Sequence, residues 1–303
     1  MNRFDLFCHL LKREAPSLEL RPNEPMSAHT TFKVGGPAAL MALPTTEEQL
    51  VSAVIFARSE GIEPLMVGLG SNLLVDDHGL ERFVIKTAPQ MNACKVKDNL
   101  LTAWAGAPLA QVANAAADHG LTGLEFAHGI PGSLGGAVVM DAGAYDGEMR
   151  QVVRSVRALN SRCEVEILTA EQCEFTYRHS VFSDGSRLVL SAELELSTGD
   201  QGLIRGRMAE LMAKRKEKQP LEWPSAGSTF KRPQGYFAAA LIDQCGLKGH
   251  KVGGAQVSEK HAGFVINAGG ATCHDILRLM DEIRERVFRE TGVELEAEVK
   301  YLR

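Results

Sequence analysis

Six glycines occupy the nineteen residues from Gly129 to Gly147, in the run GIPGSLGGAVVMDAGAYDG, and no Lys or Arg stands among them. Glycine loses more conformational freedom on folding than any other residue, so such a run is costly inside a helix or strand. The backbone there must do something that side chains would obstruct. It either turns tightly with positive φ or presses main-chain N–H groups against a ligand. A second segment of the same character, Val67-Gly-Leu-Gly-Ser-Asn-Leu-Leu74, precedes it. Successive N–H groups in such loops form concave anion sites that need no basic side chain. Either loop alone reads as a packed turn. Two in one chain point to a large, phosphate-bearing ligand.

The rest of the chain bounds the class. With 303 residues, 45% of them apolar, it can bury a large core, divided into two or three lobes. A formal net charge of -5 gives no reason to expect nucleic acid as a partner. The six cysteines contain no Cys-x-x-Cys and no metal-like spacing with His. They read as small core residues or loose thiols of a reducing compartment, and no metal is expected. No apolar run reaches about 18 residues, so no membrane insertion is expected. The N-terminal MNRFDLFCHLLKREAP lacks a signal-peptide core. A cytoplasmic protein is expected, with the monomer as the favoured state.

Residues 1–26 read as a short helix and a connector holding Pro16, Pro22 and Pro25. Thr45-Thr-Glu-Glu48 has the capping-box pattern and opens a helix that ends at Gly61. A strand to Val67, the first glycine loop, and strands near Phe83–Lys86 and Leu101–Ala105 follow. A helix then runs from Pro108 to Gly120, with Pro at its start and Gly past its end. Beyond the second glycine loop Val152–Asn160, Glu164–Leu168 and Arg187–Leu196 are β-type. A long charged helix runs to Lys218 and stops before Pro220. Helix Phe237–Cys245, strand Phe264–Asn267, helix His274–Thr291 and strand Val293–Leu302 complete the chain. Ile276, Met280, Ile283 and Val287 form one apolar stripe. The pattern is an N-terminal α+β ligand-binding half and a C-terminal α/β lobe, divided near residue 200.

Several clusters carry polar chemistry. Gly68-Leu-Gly70-Ser71-Asn72 is not a dinucleotide fingerprint of the Rossmann type, because Leu73-Leu-Val-Asp-Asp reads as strand or turn where that fold requires a helix. Pro224-Ser-Ala-Gly-Ser-Thr-Phe-Lys-Arg-Pro233 exposes the Ser228 hydroxyl beside Lys231 and Arg232. It lacks the Gly-x-Ser-x-Gly pattern of a hydrolase nucleophile. Ser228 could donate a proton, bind an anionic oxygen, or simply occupy a turn. Arg178, in Tyr177-Arg-His-Ser180, is a surface charge unless it faces a cleft, where it would pair with a carboxylate. Glu298 lies on the polar side of an alternating final strand. The six cations between Arg205 and Lys218 make a solvated helix face, or a lure for an anionic nucleotide if that face borders a cleft.

Taken in order, these pieces resemble one family. Thr30-Thr-Phe-Lys-Val-Gly-Gly-Pro-Ala38, Gly68-Leu-Gly-Ser-Asn72, Gly129-Ile-Pro-Gly-Ser-Leu-Gly-Gly136, Ala142-Gly-Ala-Tyr145 and Tyr177-Arg178 come first. Pro224-Ser-Ala-Gly-Ser-Thr-Phe-Lys231, Gly253-Gly-Ala-Gln-Val-Ser-Glu-Lys-His-Ala-Gly263 and Glu296-Ala-Glu-Val299 complete the series. The chain resembles the UDP-N-acetylenolpyruvoylglucosamine reductases from about Ser27 to its end. The absence of an insertion between Glu148 and Ser180 matches their shorter, type II form.

The resemblance implies an α+β, FAD-binding fold like that of the vanillyl-alcohol-oxidase (PCMH-type) flavoproteins. Residues 1–26 would be a helix and connector. Residues 27–198 would form the FAD-binding domain, as two subdomains split near 90, and 199–303 a C-terminal α/β substrate-binding domain. It implies NADPH-dependent reduction, through bound FAD, of UDP-N-acetylglucosamine enolpyruvate to UDP-N-acetylmuramate in peptidoglycan precursor synthesis. Hydride would pass from flavin N5 to C3 of the enolpyruvyl group, and Ser228 would protonate C2. Arg178 and Glu298 would stabilise the charge that develops. The FAD contacts implied are Gly35, Gly36, Gly68, Gly70, Ser71, Asn72, Gly129, Ile130, Pro131, Gly132, Ser133, Gly135, Gly136 and Gly143. No His stands in the first loop, so the FAD is expected to be non-covalent. Lys218, Lys231 and Arg232 are candidates for the UDP diphosphate. Asp141 stands where the family pattern commonly has Asn, which sets an extra carboxylate beside the flavin loop. A flavin oxidase acting on another small molecule, or a non-catalytic nucleotide binder, would share part of this pattern.

Overall fold

The computed structural model describes residues 3–303, and the chain forms two compact units. The first takes the chain up to Asn23, Ala39–Leu69 and Arg82–Ala213. The second takes Glu24–Ala38, Gly70–Glu81 and Lys214–Arg303.

Local signals set the helices of the first unit. Helix α1 (Arg3–Glu14) buries Phe4, Phe7 and Leu11 at helical spacing. Thr46 caps α2 (Glu47–Ser59) by accepting from the Gln49 N–H. Both helices share one apolar core with a four-stranded sheet of order 19–25, 37–43, 80–86, 65–67. Residues 19–25 were expected as a connector and form the edge strand of this sheet instead. An edge tolerates Pro22 and Pro25 because half of its N–H groups need no partner.

A second sheet, of order 165–169, 153–159, 188–195, 100–104, 94–97, is antiparallel throughout. It shares a core with α3 (Leu109–Asp118), α4 (Leu134–Val139) and the start of α5 (Gln201–Lys218). Helix α4 corrects the reading of the glycine run as turns and loop alone. Gly135 is tolerated inside it because a Cβ there would stand 2.8 Å from the Ala105 Cβ. Close helix–strand packing offsets its entropic cost.

In the second unit, α6 (Ala238–Gln244) and α7 (Cys273–Thr291) share a core with the antiparallel strands 251–252, 255–257 and 265–267. Thr272 and Asp275 form a reciprocal capping box at the start of α7, and Gly292 ends it with φ 72. Strand 73–75 pairs in parallel with 300–302. The expected final strand, Val293–Leu302, is regular only over Lys300–Leu302. Upstream of that its partner is an irregular segment that offers one bridge, Phe230 to Ala297.

No described helix is long and apolar enough to cross a membrane. The stripe of α7 is buried as its spacing predicts, with Ile283 wholly inaccessible. Ile283→Ala should therefore cost about 2–5 kcal/mol, seen as a lower urea midpoint; an unchanged midpoint would mean the stripe is not core.

Candidate functional site

The first glycine loop leaves the C-terminal end of strand 65–67, which lies parallel to 80–86 with Val67 opposite Lys86. A Cβ on Gly68 would stand 2.0 Å from Ser133 Oγ. The first unit thus presses the start of one glycine motif against the heart of the other. The Lys86 ammonium donates to the Gly68 carbonyl at 2.9 Å. Burial pushes its pKa down to about 8.

In the second glycine run, Gly129, Ile130 and Gly132 are half-buried, Pro131 and Gly136 are exposed, and Ser133 is buried. The N–H groups of Leu134 and Gly135 are spent on Ala107 O and Ala105 O, both at 2.8 Å. Those of Gly132, Ser133 and Gly136 make no hydrogen bond among the described residues. The run ends in a hairpin of Gly143–Ala144 with Gly147–Glu148.

Arg178 occupies a tight turn closed by reciprocal 3.0 Å hydrogen bonds between Thr176 and His179, with φ 57. Its guanidinium donates to Asp141 O at 3.2 Å and Gly143 O at 3.3 Å. It is therefore half-buried on the second glycine run rather than a free surface charge. Asp141 itself is 1% exposed. One carboxylate oxygen accepts from the Arg150 N–H at 2.9 Å, and the other has no hydrogen-bond partner. Burial raises its pKa, Glu148 adds to the rise, and the Arg150 N–H and charge oppose it.

The second unit holds the other polar cluster. Thr229 is 1% exposed and bonds three ways. Its N–H donates to Gly263 O at 2.9 Å, its hydroxyl accepts from the Val265 N–H at 2.9 Å, and its carbonyl accepts from the Glu298 N–H at 2.9 Å. Lys231 N donates to Glu296 O at 2.8 Å. Ser228, which follows Gly227 at φ 75, is thereby held exposed next to the Glu298 backbone. Glu298 is half-buried, unlike the exposed Glu294 and Glu296, so it does not lie on the ordinary solvated face that alternation implies. Asn72 Nδ2 donates to Glu298 O at 3.0 Å, and Asn72 O accepts from Lys300 N at 2.9 Å.

Other expected positions have structural duties. A Cβ on Gly35 would meet Val75 Cβ at 2.7 Å, and one on Gly36 would meet Asp77 O at 2.2 Å. Gly70, at φ 67, passes 2.0 Å from His29 O on the same measure, while Ser71 is half-buried. Lys231 pairs with Glu296, and Arg232 stacks on Phe237 with its guanidinium carbon 4.0 Å from the ring centroid. Lys218 is exposed in the last turn of α5. Upstream in α5, Arg205 pairs with Asp118 and Arg207 with Glu210, as a solvated face does.

The donor set of the first unit fits a flavin dinucleotide. Glycine main chain with unspent N–H groups, and a buried ammonium below it, suits a diphosphate. Comparison with known proteins agrees. A family model described as "FAD binding domain" matches residues 38–169, and another, "UDP-N-acetylenolpyruvoylglucosamine reductase, C-terminal domain", matches 219–302. The UDP-N-acetylenolpyruvoylglucosamine reductase of Caldanaerobacter subterraneus is 47% identical over 92% of this chain and 92% of its own. That of Clostridium perfringens is 44% identical over 100% of this chain and 99% of its own.

The chain belongs to the UDP-N-acetylenolpyruvoylglucosamine reductase family.

The crystal structure of the UDP-N-acetylenolpyruvylglucosamine reductase of Thermus caldophilus superposes with a TM-score of 0.80 at 35% identity, covering 94% of this chain and 99% of that one. An alkyldihydroxyacetonephosphate synthase shares the fold alone, with a TM-score of 0.51 at 18% identity over 65% of this chain and 44% of its own. The fold is thus the FAD-binding fold of the PCMH-type flavoproteins with the reductase family's C-terminal domain, and FAD is the cofactor.

Sequence reasoning passed over Lys86 and Thr229. The signal for Lys86 was a charge closing the apolar run Phe83-Val-Ile-Lys86. Thr229 carried no signal, because its three bonds depend on segments distant in sequence.

A carboxyl whose folded pKa is raised carries stability at acid pH that is lost as pH rises through that pKa. Asp141→Asn removes the loss and keeps an acceptor for the Arg150 N–H. The variant should gain stability over the parent as pH rises above the ordinary aspartate range, with a slope of at most one proton. Parallel pH profiles of the two urea midpoints would contradict this.

Proposed function

We propose that this reductase uses NADPH, through non-covalent FAD, to convert UDP-N-acetylglucosamine enolpyruvate to UDP-N-acetylmuramate for peptidoglycan precursors, acting as a cytoplasmic monomer. Residues 27–198 hold the cofactor, through Gly68, Gly132, Ser133 and their neighbours, and residues 199–303 hold the sugar nucleotide. The observation that carries the reading is the Thr229 clamp. It sets a serine and a half-buried glutamate on adjoining backbone in a chain whose relatives are named for this reduction.

FAD, held by Gly68, Gly132, Ser133 and their neighbours, would supply the two-electron chemistry that links NADPH to C3 of the enolpyruvyl group. Negative charge then gathers at C2 and the adjoining carboxylate. Arg178 is the residue for that carboxylate, since a planar guanidinium matches it with two parallel hydrogen bonds. Glu298 shares the charge if its carboxyl is neutral and donates, as buried carboxyls in other enzymes do. Ser228 delivers the proton to C2. A serine is a weak acid, but the carbanion is a strong base, so the transfer runs downhill. Lys218, Lys231 and Arg232 are the cations for the UDP diphosphate. The ion pair of Lys231 with Glu296 would open or widen to admit it.

Ser228→Ala should bind FAD and be bleached by NADPH as the parent is. Its formation of UDP-N-acetylmuramate should fall by about 10²–10⁴-fold, the usual range for a lost general acid. In deuterium oxide the parent should place one deuterium at C2. Near-normal turnover by the variant would remove Ser228 from the chemistry.

A further inference from the structure

The second glycine run contains no Lys or Arg, and the ammonium that hydrogen-bonds Gly68 is that of Lys86. A diphosphate carries two negative charges, and main-chain dipoles alone would have to hold them. Lys86 is 7% exposed, at the end of a strand whose preceding residues Phe83, Val84 and Ile85 are fully buried. A buried ammonium without a carboxylate is expensive, and such groups are retained where the charge is used. Its amine has three donors. Among the described residues it uses one, on the Gly68 carbonyl at 2.9 Å. Gly68 in turn lies against Ser133, so the ammonium stands behind the contact of the two glycine motifs.

We propose that Lys86 is a positioning residue of the cofactor site: its buried ammonium locks the Gly68 carbonyl and supplies the positive charge that the FAD diphosphate requires there. The inference rests on the flavin reading above. No charged side chain from the strands at 37–43 and 65–67, or from the glycine runs, shifts the amine; burial alone depresses its pKa, to about 8. A bound diphosphate favours the charged form. FAD therefore raises that pKa, and by linkage its affinity falls as pH rises from the free towards the bound value.

The test titrates apoprotein with FAD, following the quenching of flavin fluorescence, from about pH 7 to about pH 9.5. The parent's dissociation constant should rise across this range, by up to about tenfold per pH unit. Lys86→Met should bind about tenfold or more weakly at the lower pH and show no such rise. Lys86→Arg, whose charge persists, should keep the parent's affinity at the lower pH and lose the rise. A parent affinity independent of pH, or a Met variant that matches the parent's affinity, overturns the proposal. So does a Met variant whose apoprotein loses stability while its FAD affinity is unchanged, since that is what a purely structural lysine would give. A parent apoprotein that takes up no FAD at all overturns the flavin reading beneath it instead.

Discussion

A side chain at Gly68 would collide with Ser133: the missing Cβ would stand 2.0 Å from the serine hydroxyl. This contact joins two glycine-rich segments far apart in sequence, and the first unit is arranged to make it. Strand 65–67 runs parallel to 80–86, so its C-terminal end releases Gly68 beside Lys86. The turn at Ala105–Ala107 takes up the N–H groups of Leu134 and Gly135 and so fixes where α4 begins. Gly135 then packs on Ala105 too closely for any side chain. Backbone approaches backbone, and the N–H groups left over are those a phosphate-bearing cofactor needs.

The second unit obeys a different constraint. Its polar cluster depends on one buried threonine rather than on glycine. Thr229 ties the serine segment to Val265 on one side and to Glu298 on the other. Asn72 then holds the Glu298 carbonyl from a third direction. An exposed hydroxyl and a half-buried carboxyl are thus positioned through their backbones. Arg178 follows the same logic in the first unit. It occupies a left-handed turn and rests on carbonyls of the second glycine run.

Much of this was legible because it is local. The start of α2, the Pro108 to Gly120 helix and the stripe of α7 follow from spacing and end signals. The cap of α2, however, falls on Thr46 with Gln49 rather than on the expected Thr45 with Glu48. The glycine runs announced close approach, although not what they approach. What escaped was non-local. Residues 24–38 and 70–81 join 214–303 in one unit, and no composition change marks those crossings. The edge strand at 19–25 hid behind its prolines. Gly35 and Gly36 read as cofactor contacts, and what the sequence did not register is that their missing side chains also make room for Val75 and Asp77. Glu298 looked solvated because alternation cannot register a partner such as Asn72 more than two hundred residues away.

The central claim is that one flavin passes electrons from a nicotinamide to an enolpyruvyl sugar nucleotide. It is tested most directly without oxygen. The protein is bleached with one equivalent of NADPH and then mixed with UDP-N-acetylglucosamine enolpyruvate, while the flavin absorbance is followed. Rapid return of the oxidised spectrum, with UDP-N-acetylmuramate formed in equal amount, is the predicted result. A flavin that bleaches and stays reduced after the sugar nucleotide is added would contradict the account.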